Sequence, residues 1–142
     1  MKIQHLLTGA AFASVIALGA EAAVLPMDAP VSMGAVTAVC TGVGSAKDDP
    51  KYATYPIKLE FSNGGGQFVS NEHVKLMNRT GGTVAEFDCT GPWVLLQLPK
   101  GTYSVTATQP DATRGPKTVK FDTPQTGQKR IGIEFPSIAP NQ

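Results

Sequence analysis

The chain has 142 residues, of which 42% are hydrophobic and 16% are charged, and its formal net charge at pH 7 is +1. A chain of this length is the size of one domain and is apolar enough to bury a core. Charges of both signs are scattered along it, without a basic run. This distribution argues against a nucleic-acid partner and against a helix that lies on a membrane surface.

The segment 1–22 is predicted to be a secretory signal peptide. Lys2 supplies its positive start, the run from Leu6 to Leu18 its apolar core, and Ala20-Glu21-Ala22 its cleavage site. The alternative, a membrane-spanning helix, is disfavoured because a span needs about 20 apolar residues. Export would make the protein periplasmic or secreted. We also expect no transmembrane segment in the mature chain, because no later run of residues is long and apolar enough to span a membrane.

The mature chain is predicted to contain a flexible leader at 23–34, one domain at 35–136 and a frayed tail at 137–142. Pro26 and Pro30 lie in the leader, and proline blocks regular strand pairing because it lacks a backbone donor. Chain ends that bury little apolar surface are usually poorly ordered.

Within the domain, alternating apolar residues predict seven or eight short strands and no convincing helix. The clearest alternation runs from Tyr55 to Ser62, with Tyr55, Ile57, Leu59 and Phe61 on one face. We therefore expect an all-β protein, an antiparallel β-sandwich of Greek-key type. The other strands are predicted at 36–40, 74–78, 83–89, 93–98, 102–108, 117–122 and 129–135.

The rest of the chain is organised around the stretch from Trp93 to Tyr103. Between Trp93 and Leu98 every residue except Gln97 is apolar, which is typical of a strand that is covered on both faces. Pro99-Lys100-Gly101 then predicts a tight turn. Because Tyr103, Val105 and Ala107 share one face of the following strand, the two strands are expected to form a hairpin.

The hexamer Leu98-Pro99-Lys100-Gly101-Thr102-Tyr103 resembles a motif of carboxypeptidase regulatory-like domains, which belong to the wider transthyretin-like (prealbumin-like) group. The resemblance covers about residues 55–135 and implies a β-sandwich in which the hexamer is a structural corner. It implies little about activity. Transthyretin-like hydrolases of 5-hydroxyisourate use several histidines, an arginine and a C-terminal Tyr-Arg-Gly-Ser, whereas this chain ends in Pro-Asn-Gln.

Cys40 and Cys89 are the only cysteines. An exported chain with an even number of cysteines usually forms disulfides, so we expect these two to be bonded. The closed loop would contribute about 4 kcal/mol in the chain-entropy estimate. Two buried thiols or a metal-binding pair are the alternatives.

No catalytic, cofactor-binding or metal-ligating set is predicted. His73 is the only histidine after the predicted signal peptide, and a lone histidine is usually a surface or hydrogen-bonded residue. Tyr52, in a loop, is a candidate for an exposed contact. Trp93 is expected in the core because it lies in the apolar run. Tyr52 and His73 are thus the two candidate binding residues.

These observations favour a non-catalytic exported module that binds another protein or an envelope component through its loops or a sheet edge. The first alternative is carbohydrate binding, which requires Tyr52 and another aromatic residue to lie exposed on a flat patch. The second is a small hydrolase, which requires His73 within hydrogen-bonding distance of a carboxylate or hydroxyl in a concave pocket.

Overall fold

A computed structural model of the protein describes residues 23–113 and 115–136. The predicted signal peptide and C-terminal tail lie outside these residues. The described chain forms ten β-strands and two short 3-10 helices, Ser45–Asp48 and Pro50–Thr54. The strands are β1 (Ala23–Val24), β2 (Val31–Met33), β3 (Val36–Thr41), β4 (Ile57–Ser62), β5 (Glu72–Asn78), β6 (Thr83–Cys89), β7 (Trp93–Gln97), β8 (Thr102–Thr108), β9 (Lys117–Asp122) and β10 (Lys129–Glu134).

The strands form two five-stranded sheets, as expected for an all-β sandwich. Sheet A has the order β1-β6-β5-β8-β9, and sheet B has the order β10-β4-β7-β3-β2. The eight strands expected within the domain are β3 to β10, and the leader adds β1 and β2. Two pairs are parallel rather than antiparallel: β1 with β6, and β10 with β4. The chain crosses between the sheets before β10, and this crossing sets the direction of the strand, which a local sequence pattern does not encode.

The leader at 23–34 is part of the sandwich, so the prediction of a loose segment was wrong. Its residues form β1 on sheet A and β2 on sheet B. Between them Leu25 is buried, and its backbone N–H donates to the carbonyl oxygen of Asp88 at 2.9 Å. Pro26 and Pro30 fall outside both strands, where the missing donor does no harm.

The turn at Pro99-Lys100-Gly101 is a corner between the sheets, and the predicted hairpin was wrong. β7 belongs to sheet B and β8 to sheet A. Both strands still turn an apolar face inward, because they lie on opposite walls of the same core. The Tyr103 hydroxyl donates to the Pro99 carbonyl oxygen at 2.7 Å and braces the corner.

The interior between the sheets is filled by the inward-facing residues of both, among them Phe61, Phe87 and Phe135, which are at most 1% exposed. Cys40 of β3 and Cys89 of β6 form a disulfide with a Cα–Cα distance of 5.6 Å. The expected pairing is therefore confirmed. Because β3 and β6 belong to different sheets, the bond links the two layers directly.

Candidate functional site

His73 lies on the outer face of sheet A, near the start of β5. Its Nδ1 is 2.6 Å from Oδ1 of Asp88, the residue directly opposite on β6, and its Nε2 is 2.7 Å from Oε2 of Glu86. The side chain is 38% exposed. Because alternate residues of a strand share one face, Glu86 and Asp88 of β6 lie on the same face as His73. Their carboxylates therefore contact the two nitrogens of its ring.

The two carboxylates favour the charged form of His73. Partial burial lowers the pKa of the imidazole, but the hydrogen bonds to Asp88 and Glu86 outweigh this effect, and the pKa is raised. An imidazole can donate from both nitrogens only as the cation. His73 therefore has no free lone pair to accept a proton while both hydrogen bonds persist.

A groove of about 440 Å³ lies beside His73. The two geometric conditions set for a hydrolase, a carboxylate within reach and a concave surface, are therefore met. While both hydrogen bonds persist, neither ring nitrogen of His73 is free to accept a proton as a general base would. The groove is lined by Val24, Asn71, His73, Asp88, Cys89, Thr90, Thr108 and Pro110.

Glu72, the neighbour of His73, points into the sandwich and is 0% exposed. Neither of its carboxyl oxygens accepts a hydrogen bond from another described residue. Burial raises its pKa to about 9, so the group is neutral at pH 7. It lies opposite Cys89 in the β5–β6 register. The sequence carries a signal for this position, because Glu72 continues the inward series of Val74 and Leu76, but β5 was predicted to begin only at Val74.

Tyr52 is only 5% exposed, so the prediction of an exposed contact was wrong. It lies on the second 3-10 helix, which begins with Pro50 and is capped by Asp49. Its ring packs on Val39 and Leu95 across the outer face of sheet B. The hydroxyl donates to the Asp28 carbonyl oxygen at 3.2 Å. The helix thus covers the second face of β7, as the apolar run predicted.

Trp93 also lies on the outer face of sheet B and is half-buried, so its placement in the core was wrong. The pleat turns Val94 and Leu96 inward, and Trp93 and Leu95 consequently face outward. Phe68, in the loop after β4, packs edge-on against Trp93, with ring centroids 5.7 Å apart. Phe68 is 50% exposed, whereas its neighbour Val69 is buried and docks the loop.

Charged residues surround the indole ring. The Lys58 ammonium lies 3.5 Å from the Trp93 ring centroid and 3.1 Å from a Glu60 oxygen. Arg130 donates to both oxygens of Glu60, at 3.1 and 2.8 Å. Burial raises the pKa of Glu60, but the hydrogen bonds from Arg130 and Lys58 outweigh it, and the pKa is lowered. The cluster therefore carries two positive charges and one negative charge.

A second groove, of about 200 Å³, opens beside Trp93. Trp93, Leu95 and Tyr52 give it an apolar side, and charged and amide groups surround them. We call Phe68, Trp93, Lys58 and this groove the Trp93 patch. The groove is lined by Lys47, Asp48, Asp49, Pro50, Tyr52, Ala53, Lys58, Trp93, Leu95 and Gln128.

Within residues 23–113 and 115–136, no group of three or more His, Cys, Asp or Glu side chains is placed to hold a metal ion. The same residues contain no helix of the length and apolarity that a membrane crossing requires. The chain matches no known protein-family model, and no curated protein is significantly similar to it.

Proposed function

We propose that the protein is an exported, non-catalytic β-sandwich module that binds another protein or an envelope component through the Trp93 patch. The exposure of Phe68 carries the proposal. Phe68 packs one edge against the half-buried Trp93 and is still 50% exposed, so part of its apolar surface is open to a partner. Contiguous apolar surface of this kind marks interaction sites, and aromatic anchors contribute much of the binding energy at interfaces.

Export is supported by the Cys40–Cys89 disulfide, because such bonds persist in oxidising compartments. The signal peptide predicted at 1–22 agrees with a periplasmic or secreted location. The scaffold we propose is that of a carboxypeptidase regulatory-like domain, which the hexamer from Leu98 to Tyr103 resembles. The resemblance concerns the scaffold, and the binding property rests on the Trp93 patch.

A non-catalytic role is supported by the state of His73. Both of its ring nitrogens are engaged by carboxylates, which favour the charged form of the ring. A hydrolase of this fold would instead need the imidazole to exchange a proton with substrate or nucleophile.

A carbohydrate unit is a second candidate ligand, favoured by the groove beside Trp93. Sugars stack their apolar faces on aromatic rings and bond their hydroxyls to polar groups at the rim. Asp48, Asp49 and Gln128 supply such groups here. The carbohydrate hypothesis also predicted an exposed Tyr52, and that part of it was wrong, because Tyr52 is 5% exposed. The candidate therefore rests on Trp93 and Phe68.

The test compares Phe68→Ala with Val24→Ala, its matched control. Val24 is 64% exposed and lines the other groove, on sheet A. Immobilised protein is exposed to envelope extract, purified peptidoglycan and a glycan panel, and the affinity for the captured species is measured. We expect Phe68→Ala to weaken binding about tenfold or more and Val24→Ala to leave it unchanged. Absence of any specific binding, or equal binding by both variants, would contradict the proposal.

A further inference from the structure

β10 has one partner strand, β4, and is an open edge of sheet B in the described chain. The backbone N–H of Lys129 donates to Pro56 and that of Phe135 to Ser62, at 2.8 and 2.7 Å. Backbone groups of alternate residues point to opposite sides of a strand. The N–H and C=O groups of the even-numbered residues Arg130, Gly132 and Glu134 therefore point toward the open edge.

These three residues form a sequence that is complementary to itself. Arg130 is positive, Glu134 is negative, and Gly132 lies midway between them. When two copies of such a strand run antiparallel about a twofold axis at Gly132, each Arg130 lies opposite Glu134 of the second copy. Opposite charges in directly facing positions stabilise a strand pair.

The charges needed for this pairing remain available in the single chain. Arg130 is 70% exposed, and its guanidinium has about five N–H donors, of which only those on Nε and Nη2 reach Glu60. Glu134 forms no ion pair or hydrogen bond through its side chain to any described residue. The start of β10 thus has an excess positive charge and its end an excess negative charge.

The centre of the strand is also open to close approach. A Cβ atom added at Gly132 would meet nothing within 4 Å. On the opposite face, Ile131 and Ile133 are 7% and 1% exposed. The same twofold axis would place Ile131 opposite Ile133 of the second copy, so both faces of the pair would match.

We propose that two copies of this chain associate through antiparallel pairing of β10 about Gly132, which joins their two sheets B into one continuous sheet. The pairing would form about six backbone hydrogen bonds, two for each facing pair of even-numbered residues. Charged residues on an edge usually prevent such pairing, but β10 has opposite charges at its two ends, and these attract in the twofold arrangement. β9, one of the two edge strands of sheet A in the described chain, has two lysines, Lys117 and Lys120, and lacks this symmetry.

Sedimentation velocity of the purified protein from about 1 µM to about 1 mM tests the proposal, since edge contacts of this size are weak. We expect a concentration-dependent dimer. Glu134→Arg should raise its dissociation constant at least about tenfold, since it makes both ends of β10 positive and breaks no side-chain hydrogen bond or ion pair with a described residue. Adding Arg130→Glu should restore dimerisation. Lys120→Glu on β9 changes a charge on the other sheet edge and should have no effect.

Amide hydrogen exchange of the unaltered protein provides a second test, which does not depend on how the variants fold. The amides of Arg130, Gly132 and Glu134 should become slower to exchange as the concentration rises. Those of Ile131 and Ile133, which face β4, should be slow throughout. A protein that stays monomeric at every concentration, or a dimer that Glu134→Arg leaves intact, would overturn the proposal.

Discussion

Two adjacent ionisable residues lie on the two sides of β5 near its start, and their surroundings favour different charge states, neutral on the inner side and positive on the outer side. On the inner side, Glu72 is 0% exposed and its carboxyl group receives no hydrogen bond from another described residue. On the outer side, His73 is clasped by Asp88 and Glu86. Burial without a partner favours the neutral acid at Glu72, whereas paired carboxylates favour the cation at His73.

Glu72 and His73 are neighbours in sequence, but the pleat of the strand places their side chains on opposite faces of the sheet. The face on which a side chain lies therefore decides its charge state more than its position in the sequence does. Moving a carboxylate out of water without a partner costs several kcal/mol, so the group takes up a proton instead. The partly exposed imidazole of His73 incurs a smaller desolvation penalty, and its hydrogen bonds to two carboxylates outweigh that penalty. Three experiments test the contrast, beginning with the largest expected effect.

Replacing both cysteines by alanine should have the largest effect, a loss of up to about 4 kcal/mol from the free energy of unfolding. The disulfide links sheets A and B, and Cys89 lies opposite Glu72. Loosening the packing here should admit water and lower the pKa of Glu72. Urea unfolding and NMR titration of the Glu72 carboxyl carbon measure both changes. Unchanged stability would mean that the interior does not depend on the bond.

Glu72→Gln should remove the part of the pH dependence of the unfolding free energy that comes from Glu72. The folded-state pKa of Glu72, about 9, exceeds the ordinary value, so the folded state holds a proton that the unfolded state releases. The contribution of protonated Glu72 to the free energy of unfolding is thus fully present below about pH 4.5 and declines as the pH rises toward 9. The loss by pH 7 is on the order of 3 kcal/mol.

Glu72→Gln is therefore expected to lose less stability than the unaltered protein between pH 4.5 and pH 8. Urea unfolding across this range gives both curves. The substitution conserves the shape of the side chain and removes the titration. Two parallel curves would show that Glu72 ionises normally in the folded protein.

The smallest effect on the free energy of unfolding is expected for His73, on the outer side of β5. The raised pKa of His73 contributes stability that is fully present below about pH 6.5 and is lost as the pH rises through the folded-state value. Exposure limits this contribution to roughly 1 kcal/mol or less. Asp88→Asn should lower the pKa of His73 more than Glu86→Gln does, because the Asp88 hydrogen bond has the larger effect. NMR titration of the imidazole measures both shifts, and an unperturbed pKa in the original protein would refute the clasp.

Much of the fold was predictable because strand alternation is a local property. Ile57, Leu59 and Phe61 were expected on one face, and all three are 0% exposed. Tyr55, assigned to the same series, precedes β4 and packs with Tyr52 on the outside of sheet B. The disulfide followed from the cysteine count, which needs no geometry.

The candidate sites were less predictable because they depend on which segments meet. Tyr52 was expected in water, but the leader and the outer face of sheet B bury it. Trp93 was expected in the core, but its position in the pleat places it beside Phe68, which lies outside any strand. The carboxylates that clasp His73 come from β6, the strand paired with β5.

The sequence by itself determined where the chain is extended and which residues avoid water, because residues two positions apart share a face of a strand. Only the tertiary structure decided that β7 and β8 lie on opposite walls. It also decided that, among the described residues, Glu72 has no hydrogen-bonding partner and β10 has no neighbour on its outer side. Desolvation and pairing depend on atoms that distant segments bring together, and no local pattern encodes those encounters.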